Sequence, residues 1–341
     1  MATILSLLIP GLLGTWPDDL IAPRPTVPAL EWLLARADRH KTLPAIDAVL
    51  FQLFGLSIPV EADLPVAAVT QLADSRESGD DWWLRADPVH LRPDLRGVFL
   101  ADARTLTIEP VEAAALAAAF DQTFASDGLQ LHVPCPDRWY LRLPADPGIR
   151  THPLCSVIGR DINSLLPYGP NTRRWHALLT EAQMLFHNHP VNQAREQCNQ
   201  PMINSVWFWG GGSLPIGAHL PVAGLYARDP LLRGLAWLAD GAISPVPDNA
   251  SDWQEAAAGE TSSLVMLDLM RYDRIDGNPL AWAEHVAYLE QNWFKPCRRL
   301  LQIGQIKTLH LYGGDGYRYS LTGAARWRFW RRIRSVNESN G

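Results

Sequence analysis

The sequence predicts an α/β fold, a doubly wound and mostly parallel sheet interrupted by an inserted α+β domain. Three observations predict it. Residues 3–9 are a continuous apolar run stopped by Pro10-Gly11, the pattern of a strand buried on both faces of a sheet. Strand-like and helical segments then alternate over much of the chain, as parallel strands with helical crossovers require. Between residues 81 and 143 the pattern changes to short strand-like runs around one alanine-rich helix, which reads as a separate α+β unit.

Taken in order, residues 27–39 form a helix, with Pro28 in the first turn and Leu30, Leu33 and Leu34 on one face. Residues 47–56 and 64–73 are two further short helices. Residues 82–84, 98–100 and 106–108 are short strands between turn residues, followed by a helix over 110–124 and strands over 129–133 and 139–143. Residues 144–170 are rich in proline and glycine and read as a long connecting loop. A helix is expected over 174–187. A buried strand over 205–209 runs into Gly210-Gly211-Gly212. Beyond it come a helix over 231–238, a strand over 263–268 and a long helix over 280–303 in spite of Pro296. Strands over 308–312 and 317–321 and a basic helix over 323–334 complete the chain. The division expected is a core of residues 1–80 and 174–341, with residues 81–173 as insert and connecting loop.

The composition narrows the function. Of 341 residues, 47% are apolar and 19% charged, enough to bury a sizeable core and too few charges for wholesale disorder. A net charge of −6 argues against a general or sequence-specific nucleic-acid binder. Cys135, Cys155, Cys198 and Cys297 form no CxxC pair, so neither a disulfide framework nor a zinc site is indicated. A reducing cytoplasm is the plain expectation. The apolar N-terminus lacks a basic segment and a small-residue cleavage site, reads as a buried strand rather than a signal peptide, and is too short to span a bilayer. No transmembrane segment is expected.

The most specific segment is LFHNHPVNQAREQCNQPMINSVWFWGGG, residues 185–212. Its His189, Pro190, Asn192, Arg195, Asn204, Trp207, Trp209 and Gly210 stand at spacings that resemble the archaeal-type, cofactor-independent phosphoglycerate mutases of the alkaline phosphatase superfamily. VPALEWL at 27–33 resembles that family's first helix start, and Trp83 to His90 the opening of its inserted domain. The phrase ADPVHL at 86–91 is similar to bacterial proteins called RpfE-type regulatory proteins. The resemblance implies an alkaline-phosphatase-like core carrying the α+β insert, and a link to regulation.

The resemblance also implies two metal ions and a serine nucleophile, because in-line phosphoryl transfer needs both attacking and leaving oxygens stabilised. Here the family's first Asp-Gly turn is Pro10-Gly11, and proline has no ligand atom. The family's Gly-Ser-Asp turn aligns with Ala45-Ile46-Asp47, where isoleucine cannot attack phosphorus. Asp268, Asp273, Asp276 and Asp315 remain near the later strand ends, without histidines at ligand spacing. The expectation is a non-catalytic or re-purposed phosphoglycerate-mutase-like protein with no catalytic residues, no metal site and no cofactor.

As a ligand site the sequence offers His189, Asn192, Arg195, Asn204 and Trp209, with Arg85, Asp87 and His90 from the start of the insert. Arg195 suits a phosphate or carboxylate by a bidentate contact, or equally a structural ion pair. His187 and His189 either chelate one metal or merely cap and pack. Arg195, Asn204 and the glycines are expected at the carboxyl ends of parallel strands, where open α/β sheets bind ligands. The partner expected is a small anionic metabolite; a protein partner stays unknown. Two alternatives stay open: an active mutase using manganese or magnesium, and an interaction protein acting through the basic C-terminal helix. For that helix the expected arrangement docks Trp327, Trp330 and Ile333 on the protein and leaves the arginines in water.

Overall fold

The structure, a computed structural model, describes residues 3–16, 23–57, 62–77, 79–95, 97–333 and 336. In chain order it forms β1 (Thr3–Leu8), α1 (Pro28–Arg36), β2 (Asp38–Lys41), α2 (Ile46–Leu53), α3 (Val66–Ser75), β3 (Trp82–Asp94), β4 (Gly97–Asp102), α4 (Pro110–Phe124), β5 (Gln130–Cys135), β6 (Arg138–Leu143), α5 (Thr172–His187), α6 (Pro190–Gln197) and β7 (Ser205–Gly212). Then follow β8 (Gly224–Tyr226), α7 (Pro230–Leu238), α8 (Ala250–Ala256), β9 (Ser262–Met266), α9 (Pro279–Leu289), α10 (Lys295–Gln302), β10 (Ile306–Tyr312) and β11 (Tyr317–Thr322). The chain divides into two compact units, one of Met1–Ser57 with Gly217–Gly341 and one of Ile58–Ile216.

The first unit is built on a sheet ordered β2-β11-β10-β1-β9-β8. β10, β1, β9 and β8 run parallel, and β11 and β2 add an antiparallel edge. The expected mostly parallel sheet is therefore present. β1 lies between two parallel neighbours, which is why its sequence is mostly apolar, with Ser6 buried among the leucines, rather than alternating. Leu5, Leu7 and Ile9 join Leu309, Leu311, Trp282 and Trp293 in one buried core.

The helix expected over 280–303 forms as one continuous run, residues 279–302, with a wider middle. α9 and α10 flank a π-turn, Glu290–Phe294, that ends just before Pro296. Proline lacks the N–H that a continuous α-helix would use, and the wide turn precedes it. The turn also carries Glu290, fully buried, whose carboxylate accepts from the backbone N–H of Ala29 at 2.7 Å and Leu30 at 3.0 Å. It thus caps the start of α1, where Val27 offers no capping side chain.

The second unit is larger than residues 81–173, because α3, α5, α6 and β7 fold with it. Its sheet is antiparallel throughout. β3 pairs with β6 and β7 along its first half and with β4 along its second, and β5 adds to β6. Side chains alternate across it. Leu84, Trp139, Leu141 and Phe208 pack with α4 and α5, whereas Trp83 and Tyr140 pack under Ala67 and Ala68 of α3.

Several local expectations change. The strand start at 82–84 extends to thirteen residues. The strand expected at 106–108 is absent: a 3-10 turn spans Ala103–Thr105, and Thr107 has φ +45°, incompatible with a strand. α6 was not expected; its N-terminus is made by His189, whose Nδ1 accepts from Val191 N–H, with Pro190 in the first turn. The helix expected over 323–334 is a 3-10 turn, Gly323–Trp327, followed through residue 333 by irregular chain.

Candidate functional site

All eight residues offered as a ligand site lie in the second unit, and its own structure takes up their polar groups. Arg195 is 2% exposed. Its guanidinium donates to the Pro201 carbonyl at 2.8 Å, to Glu112 Oε2 at 2.6 Å and to the Leu106 carbonyl. Asn192 donates to the carbonyls of Phe186 and Ile203 and accepts from Ile203 N–H. Asn204 acts as a strand partner for Leu91, accepting from its N–H at 2.7 Å and donating to its carbonyl at 2.9 Å. His90 Nδ1 lies 2.8 Å from the Met202 carbonyl.

Arg85, Asp87 and Trp209 form a second knot. Arg85 Nη2 donates to Asp87 Oδ1 at 2.6 Å, and Trp209 Nε1 donates to Asp87 Oδ2 at 2.7 Å. The guanidinium also stacks near the rings of Tyr140 and Trp209. Burial pushes the Asp87 carboxyl up, against the pull of Arg85 and Trp209.

The placement expected at the ends of parallel strands is corrected, because β7 runs antiparallel to β3. Its glycines also have a packing reason. A Cβ at Gly211 would fall 2.0 Å from the Trp82 ring, and one at Gly212 2.5 Å from Pro65. Protein, rather than ligand, approaches the backbone there.

The carboxyl ends of parallel strands, where ligands of such sheets bind, belong to the first unit. β1 leads into Pro10-Gly11, β9 into Leu267-Asp268 and β10 into Gly313-Gly314-Asp315. Gly11 has φ +84°, and a Cβ there would meet the Met270 carbonyl oxygen at 2.2 Å. The turn after β1 thus packs directly on the loop after β9. Arg274 braces it, donating to the carbonyls of Gly11, Leu12 and Gly14 at 2.8, 3.1 and 3.0 Å. Its guanidinium lies over the rings of Trp16 and Trp282, and burial lowers its pKa to about 10.

Arg271 stands three residues after Asp268 and pairs with Asp229 at the start of α7, Nη1 to Oδ2, at 2.9 Å. Burial opposes its charge, but Asp229, Asp47, Tyr272 and Asp268 together hold the guanidinium above its ordinary pKa. A cation carried on a side chain therefore sits in the field of the remaining carboxylates. Pro10 and Ile46 present no ligand atom, and Asp315 accepts from Tyr319 O–H and Tyr317 N–H. Among the described residues no group of three or more His, Cys, Asp or Glu side chains is placed to hold a metal ion. The residues present do not fit the two-metal cage that the resemblance implies.

Beside this cluster a cavity of about 390 Å³ opens, lined by Arg228, Asp248, Asp268, Glu284, His285 and Tyr288 over an apolar floor that includes Leu267 and Trp293. His285 Nδ1 lies 2.7 Å from Asp273 Oδ2, which fixes the ring in the wall. A pocket of this size, with polar groups converging over an apolar floor, suits a small organic molecule. Of these residues only Asp268 and Asp273 stood out in the sequence. Arg271 had a signal, a basic residue inside the acidic run LDLMRYDRIDGN. Arg228, Glu284 and His285 had none, because only the fold brings them together.

No family model matches the sequence. Among curated proteins, a probable 2,3-bisphosphoglycerate-independent phosphoglycerate mutase from Geobacter sulfurreducens is 31% identical over 68 residues, 20% of this chain and 17% of that protein. The match thus spans less than a fifth of its length. Among solved structures, the PH0037 protein from Pyrococcus horikoshii superposes with a TM-score of 0.57 at 14% identity, over 94% of this chain and 87% of that one. A cofactor-independent phosphoglycerate mutase from Thermoplasma acidophilum gives 0.49 at 16% identity, over 100% and 96%, too loose a likeness to bear weight. Among the described residues no helix is long and apolar enough to cross a membrane. The chain thus shares the mixed α/β fold of the PH0037 protein.

Proposed function

We propose that this chain is a non-catalytic, re-purposed phosphoglycerate-mutase-like protein that binds a small metabolite in the cavity beside Asp268. One observation carries the reading. The guanidinium of Arg271 pairs with Asp229 at 2.9 Å and feels the field of Asp47 and Asp268, so a fixed positive charge already serves carboxylates that a divalent cation would use. A regulatory role, as the likeness to the RpfE-type proteins implies, fits a protein that keeps a binding cavity without the machinery for turnover.

The cavity narrows the ligand. Asp248, Asp268 and Glu284 face it with a single arginine, Arg228. A phosphoglycerate, with several negative charges and none positive, meets three carboxylates for one cation and is disfavoured. A ligand with both an ammonium and a carboxylate, and an apolar part to lie on Leu267 and Trp293, matches the lining better.

Two measurements test this. Purified protein with excess manganese or magnesium is assayed for interconversion of 2- and 3-phosphoglycerate, and no turnover above buffer is expected; chelator-sensitive turnover would falsify the proposal. A thermal-shift series then compares amino acids, amines and phosphoglycerates. Stabilisation by an amino acid, lost in Arg228→Ala, supports the ligand class, whereas stabilisation by phosphoglycerates alone rejects it.

A further inference from the structure

The C-terminal segment is inside out relative to its sequence pattern. Trp327, Phe329, Trp330 and Ile333 are 64%, 77%, 67% and 51% exposed. Two of the arginines between them, Arg328 and Arg331, turn inward instead. Arg328 donates to the Arg36 carbonyl at 2.7 Å and to Asp38 Oδ2 at 2.6 Å, and Arg331 to the Arg36 carbonyl at 3.3 Å and Asp38 Oδ1 at 3.0 Å. Charge-assisted bonds of this length hold a backbone firmly. The end of α1 and Asp38 thus clamp the segment with its apolar side outward. Phe329 and Trp330 meet edge to face at 5.4 Å and form one protrusion.

Singly exposed apolar residues are ordinary, but four within seven positions, three of them aromatic, are not. Cations accompany them. Arg332 follows in the same segment and is exposed. The turn at Gly323 packs against Leu301 at the end of α10, and α10 exposes Lys295 and Arg299. Asp38, the nearby acid, has its carboxylate held low by Arg328, then Arg331, and is spent on them. These exposed cations stand on a protein whose net charge is −6.

We propose that this segment docks on an anionic lipid surface, Trp327, Phe329 and Trp330 entering the headgroup layer and Arg332, Arg299 and Lys295 facing the lipid phosphates. Indoles favour the membrane–water interface, where an apolar ring and a polar N–H are both accommodated. Surface binding of this kind combines apolar insertion with attraction to anionic lipid. A protein partner would offer a pocket for each ring; a bilayer takes protruding rings without one.

The test is co-sedimentation of the full chain with vesicles of zwitterionic phospholipid alone and of an equal mixture with anionic phospholipid, at low and high salt. The protein is expected to sediment with the mixed vesicles at low salt only, with a blue shift of tryptophan emission. Trp327→Ala with Phe329→Ala and Trp330→Ala should weaken binding by about tenfold or more, and Arg332→Glu should weaken it without altering thermal stability. Equal binding by the triple variant overturns the proposal, as does no binding to mixed vesicles. A dimer in light scattering that the triple variant dissolves overturns it too, by assigning the patch to a second copy.

Discussion

Arg271 and Asp229 meet Nη1 to Oδ2 at 2.9 Å, the carboxylate nearly buried at 4% exposure and also capping α7 through Leu232 N–H at 3.0 Å. One carboxylate therefore caps a helix and anchors the guanidinium, which also feels the field of Asp47 and Asp268. The pair ties the loop after β9 to α7 within the first unit.

Arg271→Met should accordingly destabilise the protein by about 2–4 kcal/mol, because it leaves a buried carboxylate without its partner. Asp229→Asn should cost less, since the amide oxygen can still cap α7. Urea denaturation of both variants measures the difference. Equal and small losses would show that the pair is screened by water and is not what holds the loop.

In the second unit, Asp87→Ala should be among the most damaging changes. Arg85 is 6% exposed and would keep a charge answered by the Thr70 hydroxyl at 3.3 Å, its ring contacts and the field of Asp74, with no carboxylate paired to it directly. A loss of about 3–5 kcal/mol is expected. Trp209→Phe removes one hydrogen bond to a charged group but keeps most of the packing, and should cost about 1–3 kcal/mol. Unfolding followed by tryptophan emission and by circular dichroism checks both.

The core sheet was legible because its strands carry a local signature. β1 and β9 are largely apolar at their carboxyl ends, LL and LVM, stopped by Pro10-Gly11 and followed by Asp268. The motif from His189 to Gly210 was legible as a resemblance but not as a site. Its residue types suit anion binding and buried scaffolding equally, and only the partners of Arg195 and Asn204 distinguish the two. The tail misled for a related reason. Helical spacing of Trp327, Trp330 and Ile333 says that one face is apolar, not which face the protein holds. Asp38 and the carbonyls of Arg36 and Ala37 decide that, from nearly 300 positions away. Apart from Asp268, the cavity lining was not legible, since Arg228, Asp248 and Glu284 share no spacing.

Glu290 caps α1 from the other end of the chain, with both carboxylate oxygens on backbone N–H groups. Glu290→Gln keeps one good acceptor and should cost about 1–2 kcal/mol, whereas Glu290→Ala leaves two buried donors unpaired and should cost about 3 kcal/mol or more. Hydrogen exchange of Ala29 and Leu30 gives the local readout. Faster exchange at these amides, with the rest of the first unit unchanged, is the expected pattern for Ala if the chain still folds.

His310 on β10 gives a test by pH. Its Nδ1 lies 2.9 Å from Ser320 Oγ, and burial, with Arg318 and His40 nearby, lowers its pKa from 6.5 to about 4. The folded state thus resists the proton that the unfolded chain accepts. As pH falls below about 6.5 the unfolded state binds the proton first, so stability declines until about pH 4, below which both states are protonated and the loss is complete. The shift taken whole would correspond to about 3 kcal/mol, but the ring is only partly buried, and solvent screening reduces the expectation to about 1–2 kcal/mol. Carboxylates titrate in the same range, so the difference between wild type and His310→Gln is the informative quantity. Urea midpoints from pH 4 to 8 should converge for the two proteins at the acid end, with wild type gaining relative stability through the middle of the range. Parallel curves would mean that His310 titrates as it does in the unfolded chain.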